Sequence, residues 1–351
     1  MEPTVETRVA HVKAAGQLHF DREILVCEGL GGHEVACETL YSAISPGTEL
    51  AAWEGLQPLR PDRKHSRVVG YCNVARVMAV GDWVHRFRPG DLVLSLQSHR
   101  SHFICNDGDI LLALPPAAQE PEQLIAASMT YLFHQGYSAL LRGDMKPAEY
   151  VGVLGLGTVG LATVAVASRF GARVFGFSDL EWARDLGIEL GAAEVFDKHH
   201  LDEALGSLRH ATARTGLDIV VTTSGSWEDW RFALELARPG GKICVLGFPG
   251  RREPTPLFNP LDPTLFYRKH LSLISCGYTP DVEVDPRDVR HTVQRNAAYL
   301  LDLILEGALP ARRLISEVVA WHELGDVYAR IADREEGLLT AVLDWTEDPD
   351  A

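Results

Sequence analysis

Several things are scarce in this chain, and each scarcity argues against a class of function. Lys and Arg number 33 against 48 Asp and Glu, a formal net charge of −15 at pH 7. That balance argues against a broad surface for nucleic acid or anionic lipid. No apolar run approaches the roughly 18 residues of a spanning helix. Residues 1 to 20 mix Glu, Arg, His, Lys and Asp, without the apolar stretch of a secretory leader. The six cysteines (27, 37, 72, 105, 244 and 276) include no C-x-x-C spacing, so neither a disulfide framework nor a structural zinc site is expected. A soluble, cytoplasmic protein with reduced thiols follows, with no nucleic-acid or membrane partner.

What is present points to an α/β enzyme. The 351 residues, 46% hydrophobic and 23% charged, allow two domains and a large core. The organising stretch is Tyr150 to Leu161, YVGVLGLGTVGL. An apolar run, Val151 to Leu154, suits a strand buried on both faces. Gly155-x-Gly157-x-x-Gly160 follows and leads into an Ala- and Val-rich segment, Leu161 to Phe170, that suits a buried helix. This strand–turn–helix context is what a dinucleotide-binding fingerprint requires. Gly155 permits the tight turn, Gly157 lets the backbone approach a pyrophosphate, and Gly160 lets helix and strand pack closely.

On either side the pattern differs. The first ~115 residues read as β-rich with many turns, a barrel or sandwich. Residues 7 to 41 read as short strands broken by Gly29, Gly31 and Gly32, with Val35 to Tyr41 one of them. A turn from Ser42 leads to a short helix ending near Gly55. Pro121 to Arg142 reads as one or two helices. After the glycines, strands at Arg173–Phe177, Glu194–Asp197, Asp218–Thr223, Lys242–Leu246 and Leu271–Ser275 alternate with helices, the signature of a doubly wound parallel sheet. Helices at His291–Leu305 and Glu323–Ala332 and a strand at Thr340–Leu343 close the chain.

In this order, Pro46-Gly-Thr-Glu49, Arg88-Pro-Gly-Asp91, Gly155-Leu-Gly-Thr-Val-Gly160, Glu189-Leu-Gly-Ala192, Arg238-Pro-Gly-Gly-Lys242 and Val245-Leu-Gly247 resemble the medium-chain dehydrogenase/reductase superfamily. The resemblance covers nearly the full length. It implies a GroES-like β-rich catalytic domain, residues 1–131 plus 279–351, with an inserted Rossmann domain at 132–278. It also implies a homodimer joined near Leu271 to Ser275. The chain departs from the zinc members at the metal positions. They carry Cys-Gly-Thr-Asp where Pro46-Gly-Thr-Glu49 stands, Gly-His-Glu where Gly70-Tyr71-Cys72 stands, and a third ligand near Thr130. Catalytic zinc needs about three protein ligands, so the chain resembles a zinc-independent branch and no metal is expected. The bacteriochlorophyllide alcohol dehydrogenase type has a similar Gly-Thr-Glu and Gly-Tyr arrangement.

The resemblance implies NAD or NADP as cofactor, held by Gly155, Gly157, Thr158, Val159, Gly160, Ser224, Leu246 and Gly247. The ribose reader is Ser178 by alignment on Gly176, or Asp179 by counting from Gly155. Asp179 would favour the free 2′-hydroxyl of NAD, and the absence of a following basic residue inclines the reading to NAD. Arg184 reads as a solvated surface charge. Hydride transfer belongs to the cofactor, so the protein must supply position and a proton. Candidate groups are Thr48, which otherwise reads as a helix N-cap, Tyr71, which otherwise reads as core, Glu49 as an organiser, and His102. His99 and His134 are further histidines for the cleft. Tyr131 and His134 are expected to contact substrate. The basic loop Leu59 to Arg67 offers Arg63 and Lys64 to an anionic substrate. The function expected is interconversion of a secondary alcohol and a ketone on a polar small molecule. Reduction of an activated carbon–carbon double bond, or a non-catalytic nucleotide-binding scaffold, are the alternatives.

Overall fold

The structure is a computed structural model that describes residues 3–56, 67–247, 249–250, 253–277 and 291–346. In chain order the elements begin with β1 (Thr4–Ala14), β2 (Gln17–Val26), β3 (Glu34–Ala43), α1 (Pro46–Trp53), β4 (Arg67–Val68), β5 (Asn73–Val80), β6 (Leu92–Ser95), β7 (His102–Asn106), β8 (Ile110–Ala113), α2 (Pro121–Ala127) and α3 (Thr130–Arg142). They continue with β9 (Tyr150–Leu154), α4 (Thr158–Arg169), β10 (Arg173–Ser178), α5 (Glu181–Glu189), β11 (Glu194–Asp197), α6 (Leu201–Ala211), β12 (Leu217–Thr222), α7 (Trp227–Leu236), β13 (Ala237–Val245) and β14 (Ser272–Ser275). The last are α8 (Val293–Leu305), β15 (Glu317–Ala320), α9 (Leu324–Ala332) and β16 (Ala341–Asp344). No helix among the described residues is long and apolar enough to cross a membrane.

Backbone contacts divide the chain into two units. The first is Met1–Tyr131 with Val293–Gly307 and Ala311–Ala351, and the second is Leu132–Thr292 with Ala308–Pro310. The return to the first unit was expected at residue 279, which lies outside the described residues.

The first unit is built on β3. Residues 35 to 37 and 39 to 43 of this strand carry mostly buried side chains, among them Val35, Cys37 and Ala43 at 0% exposure. It pairs with β5, β7 and β16, all antiparallel, within the order β15-β16-β3-β5-β6-β8. One core lies among Val35, Val77, Val93 and Phe103, and another among Ile44, Leu50, Trp321, Leu324, Tyr328 and Trp345. A smaller sheet, β2-β1-β4, completes the unit. Where short broken strands were expected, β1 and β2 form one long hairpin turning at Ala15-Gly16, with Gly16 at φ +68°. Its outer strand is largely exposed, so burial imposed no clear alternation on the sequence. Strand β15 was not anticipated, because all four of its residues are only half buried and carry no period-2 signal.

The second unit holds an all-parallel sheet in the order β11-β10-β9-β12-β13-β14. Numbered from its first strand, this is 3-2-1-4-5-6, the doubly wound order. The order reverses between β9 and β12, so the crevice at their carboxyl ends is where such sheets bind ligands. Val151, Val153 and Leu154 are fully buried, as a central parallel strand requires.

Lys269 ties off α7 in this unit. Its Nζ donates to the carbonyls of Leu234, Glu235 and Ala237 at 2.8, 2.9 and 2.8 Å, the orphan acceptors of a helix C-terminus. Burial holds this ammonium below its usual pKa. Lys269→Met should cost about 2 kcal/mol, because hydrogen bonds from a charged group to partly buried carbonyls are lost. Urea unfolding of wild type and variant measures it.

Candidate functional site

At the carboxyl end of β9 the chain turns through Gly155, whose φ of +90° a side chain would strain. Its N–H donates to Phe177 O at 3.0 Å, and its carbonyl accepts from Thr223 Oγ1 at 2.8 Å. A Cβ on Gly160 would overlap that same Gly155 carbonyl, so only glycine lets α4 sit so close to the strand. Gly157 caps α4, and a Cβ there would meet nothing within 4 Å. Thr158 and Val159 open the helix, whose first N–H groups and dipole suit a phosphate. Gly247 approaches the end of β12, where its Cβ would stand 2.5 Å from Thr223 C. Leu246 and Gly247 both donate from backbone N–H to Thr222 O. Thr222 Oγ1 is buried there without a hydrogen-bond partner. An open glycine cradle at a helix N-terminus and an orphaned buried hydroxyl at the switch point fit a nicotinamide dinucleotide.

At the end of β10, Ser178 is spent on its own turn. Its Oγ accepts from Leu180 N at 3.1 Å and its carbonyl accepts from Arg184 Nη1 at 3.1 Å. Asp179 offers a carboxylate 4.0 Å from Lys198 Nζ, which also pairs with Asp229 at 3.4 Å. Arg184 therefore reaches back to the strand end and to Asp197 at 3.7 Å, where a solvated charge was expected. Lys198 was missed, because it follows β11 and lies beyond any count from the glycines.

The first unit holds a different constellation. Ser45 precedes α1 and Pro46 opens it, with Thr48 exposed and Glu49 buried in its first turns. Tyr71 Oη donates to Ser45 Oγ and lies 3.4 Å from Thr48 Oγ1. Its ring meets Tyr131 edge-on, with centroids 5.6 Å apart. Behind these hydroxyls, Glu49 is 2% exposed and accepts from three donors. Ser45 N donates to Oε1 at 2.7 Å; His99 Nε2, at 2.9 Å, and the Tyr328 hydroxyl donate to Oε2. Behind them, His99 Nδ1 meets Ser42 Oγ at 2.8 Å, and Trp345 Nε1 donates to that oxygen at 2.9 Å. His99 thus bridges the Ser42 hydroxyl, which Trp345 also meets, to the Glu49 carboxylate. Burial and the nearby charges push the Tyr71 phenol well above its usual pKa, so it stays protonated at neutral pH. Burial does the same to the Cys72 thiol, with Glu49 adding to it.

The structure thus unites Thr48, Glu49, Tyr71 and Tyr131. It does not bring His102 to them. On β7 the alternation turns Phe103 and Cys105 inward, and His102 bonds Ser101 Oγ at 3.1 Å and, through its backbone, Thr7. His99 takes the place beside Glu49. Gly70 was the available sequence signal, since a Cβ there would stand 2.6 Å from His99 Cγ. Tyr328, Ser42 and Trp345 carried none. His134 is buried in the second unit. Arg63 and Lys64 lie outside the described residues. The metal positions hold Pro46, Tyr71 and Thr130, whose Oγ1 donates to Ala127 O at 2.7 Å. Among the described residues no three His, Cys, Asp or Glu side chains form a group able to hold a metal ion.

Comparison with known proteins finds likeness to dehydrogenases. The family described as zinc-binding dehydrogenase matches residues 158–290. Sorbitol dehydrogenase of Bacillus subtilis is 28% identical over 214 residues, 53% of this chain and 60% of that protein. Aldehyde reductase YahK of Escherichia coli is 27% identical over 55% of this chain and 64% of its own. The chain thus spans less than two thirds of these curated relatives. Among solved structures, an alcohol dehydrogenase from Thermus sp. ATN1 superposes with a TM-score of 0.75 at 20% identity, covering 96% of this chain and 99% of that one. Galactitol-1-phosphate dehydrogenase from Escherichia coli gives 0.78 at 16% identity with the same coverage. The chain is thus similar to medium-chain dehydrogenases. Its fold is the GroES-like and Rossmann pair that these solved dehydrogenases share.

Two outcomes follow. Gly157→Ala should leave stability within about 1 kcal/mol, the scale of an N-cap change, yet weaken NADH binding at least about tenfold by filling the cradle; fluorescence titration and urea melts together test it. Burial depresses the His134 imidazole to about 4. Below the unfolded pKa of about 6.5 the unfolded chain takes up a proton that the folded chain refuses, so stability falls as pH drops from about 6.5 to about 4, by about 1.4 kcal/mol per unit. His134→Phe should flatten that part of the urea-midpoint profile.

Proposed function

We propose that this chain is a zinc-independent, nicotinamide-dependent oxidoreductase that interconverts a secondary alcohol and a ketone. The observation that carries the reading is the protonated Tyr71 phenol standing beside Thr48 and Ser45, at a position where zinc relatives place a ligand. When bound in the second unit, the cofactor supplies or accepts the hydride. With substrate bound, the Tyr71 proton turns from Ser45 Oγ to the substrate oxygen and passes to it in the reducing direction. Thr48, the exposed hydroxyl of the set, relays a replacement proton from solvent back to Tyr71. Ser45 orients the phenol, and burial above all keeps it from ionising. No step is routed through zinc: Pro46 has no donor side chain, Tyr71 is engaged with Ser45, and Glu49 already accepts from three donors. The zinc-binding family match covers 158–290 and so includes none of these positions.

Asp179, a carboxylate at the end of β10, supports NAD over NADP, while Lys198 beside it softens the preference. The substrate is a polar small molecule; the basic loop with Arg63 and Lys64 favours an anionic one. A homodimer along β14, the open edge of the parallel sheet, and a cytoplasmic location complete the reading.

The test is nicotinamide absorbance during turnover by chelator-treated protein, offered alcohol/ketone and saturated/enone pairs with both cofactors. Alcohol or ketone turnover should survive the chelator, and Tyr71→Phe should lower kcat roughly 10²-fold, the worth of a general acid, leaving NADH affinity unchanged. Activity lost to chelation and restored by zinc would overturn the metal reading. Turnover of enones alone would assign double-bond reduction.

A further inference from the structure

We propose that His99 is a positioning residue for the hydroxyl cluster, holding the Tyr71 phenol in place through Glu49 and Ser45. Its catalytic consequence rests on the reading of Tyr71 as the acid; the coupling itself does not. His99 is 0% exposed, so it acts on a substrate only through other groups. It is fixed on every side. Its N–H donates to Val69 O at 2.8 Å, its carbonyl accepts from Ala10 N at 2.9 Å, and its ring lies against Gly70. Both ring nitrogens are used, toward Ser42 and Glu49.

The sequence of dependence runs outward. A buried carboxylate stays ionised only while donors solvate it, and Glu49 has three. Two of them, His99 and Tyr328, share Oε2 on the buried side, while the third, Ser45 N–H, holds Oε1. Withdrawing the imidazole leaves Oε2 under-solvated, and the carboxylate rotates or protonates to compensate. Rotation releases Ser45 N–H and protonation weakens its bond, and this residue precedes α1 and carries the oxygen that receives the Tyr71 proton. A structural histidine with no such linkage would change stability alone.

The experiment uses full-length protein labelled with ¹³C at tyrosine Cζ, with the Tyr71 resonance assigned by Tyr71→Phe. In His99→Leu the Tyr71 signal should move by more than its linewidth, and His99→Gln, which keeps a donor toward Glu49, should return it toward wild type. If His99→Leu does not fold, Ser42→Ala, which removes the partner of Nδ1 together with the acceptor of Trp345 Nε1 but leaves the imidazole in place, should move the signal in the same direction by less. A Tyr71 resonance unmoved in a folded His99→Leu or Ser42→Ala protein overturns the proposal. In turnover, His99→Leu should lower kcat roughly ten- to a hundredfold, the scale of a misplaced catalytic group, but cause little further loss in a Tyr71→Phe background. Additive losses would overturn it as well. A moved resonance with Tyr71→Phe turning over normally would keep the coupling and remove Tyr71 as the acid, so the two readings fail separately.

Discussion

A carboxylate cannot be buried without donors to replace water, and in the first unit Glu49 sets that requirement. It draws Ser45 N–H, His99 and Tyr328 to itself from the start of α1, the segment before β7 and α9. Ser42 and Trp345 extend the arrangement into β3 and the chain end. Segments distant in sequence are thereby held at one point by directional bonds, where apolar packing alone would tolerate sliding. The hydroxyls of Ser45, Thr48 and Tyr71 stand on the outer side of this anchor. Their geometry is therefore inherited from a charge that a substrate never meets.

In the second unit the corresponding constraint is steric. Gly155, Gly157 and Gly160 permit a turn, an open cradle and a close helix, and each tolerates a different degree of change. Gly160 has the Gly155 carbonyl in the way, whereas Gly157 faces empty space. The close approach of helix and strand demands Gly160, while Gly157 leaves open space of the kind that suits a phosphate. The parallel order then places the orphaned Thr222 hydroxyl at the switch point beside them.

The two units also show why a substitution at a metal position need not empty a site. Tyrosine at 71 brings a donor with one fixed direction in place of an imidazole. Burial above all holds its phenol protonated. Glu49 in turn accepts from three donors of the protein itself.

By itself the sequence determined what is local. The apolar run, glycines and helix of residues 150 to 170 act on near neighbours, so the phosphate cradle was legible, as were α1 after Pro46 and the alternation of strands and helices that makes the sheet parallel. Thr48, Glu49 and Tyr71 could be picked out because they sit in short motifs. Only the tertiary structure decided which histidine joined them. His99 and His102 are three residues apart and equal in chemistry; strand alternation turns one toward Thr7 and Ser101, and the buried carboxylate claims the other. Tyr328 lies 279 positions from Glu49, and Trp345 lies 303 from Ser42. A hydrogen bond acts over about 3 Å of space, whatever the distance along the chain, and so no local reading of the sequence contains it.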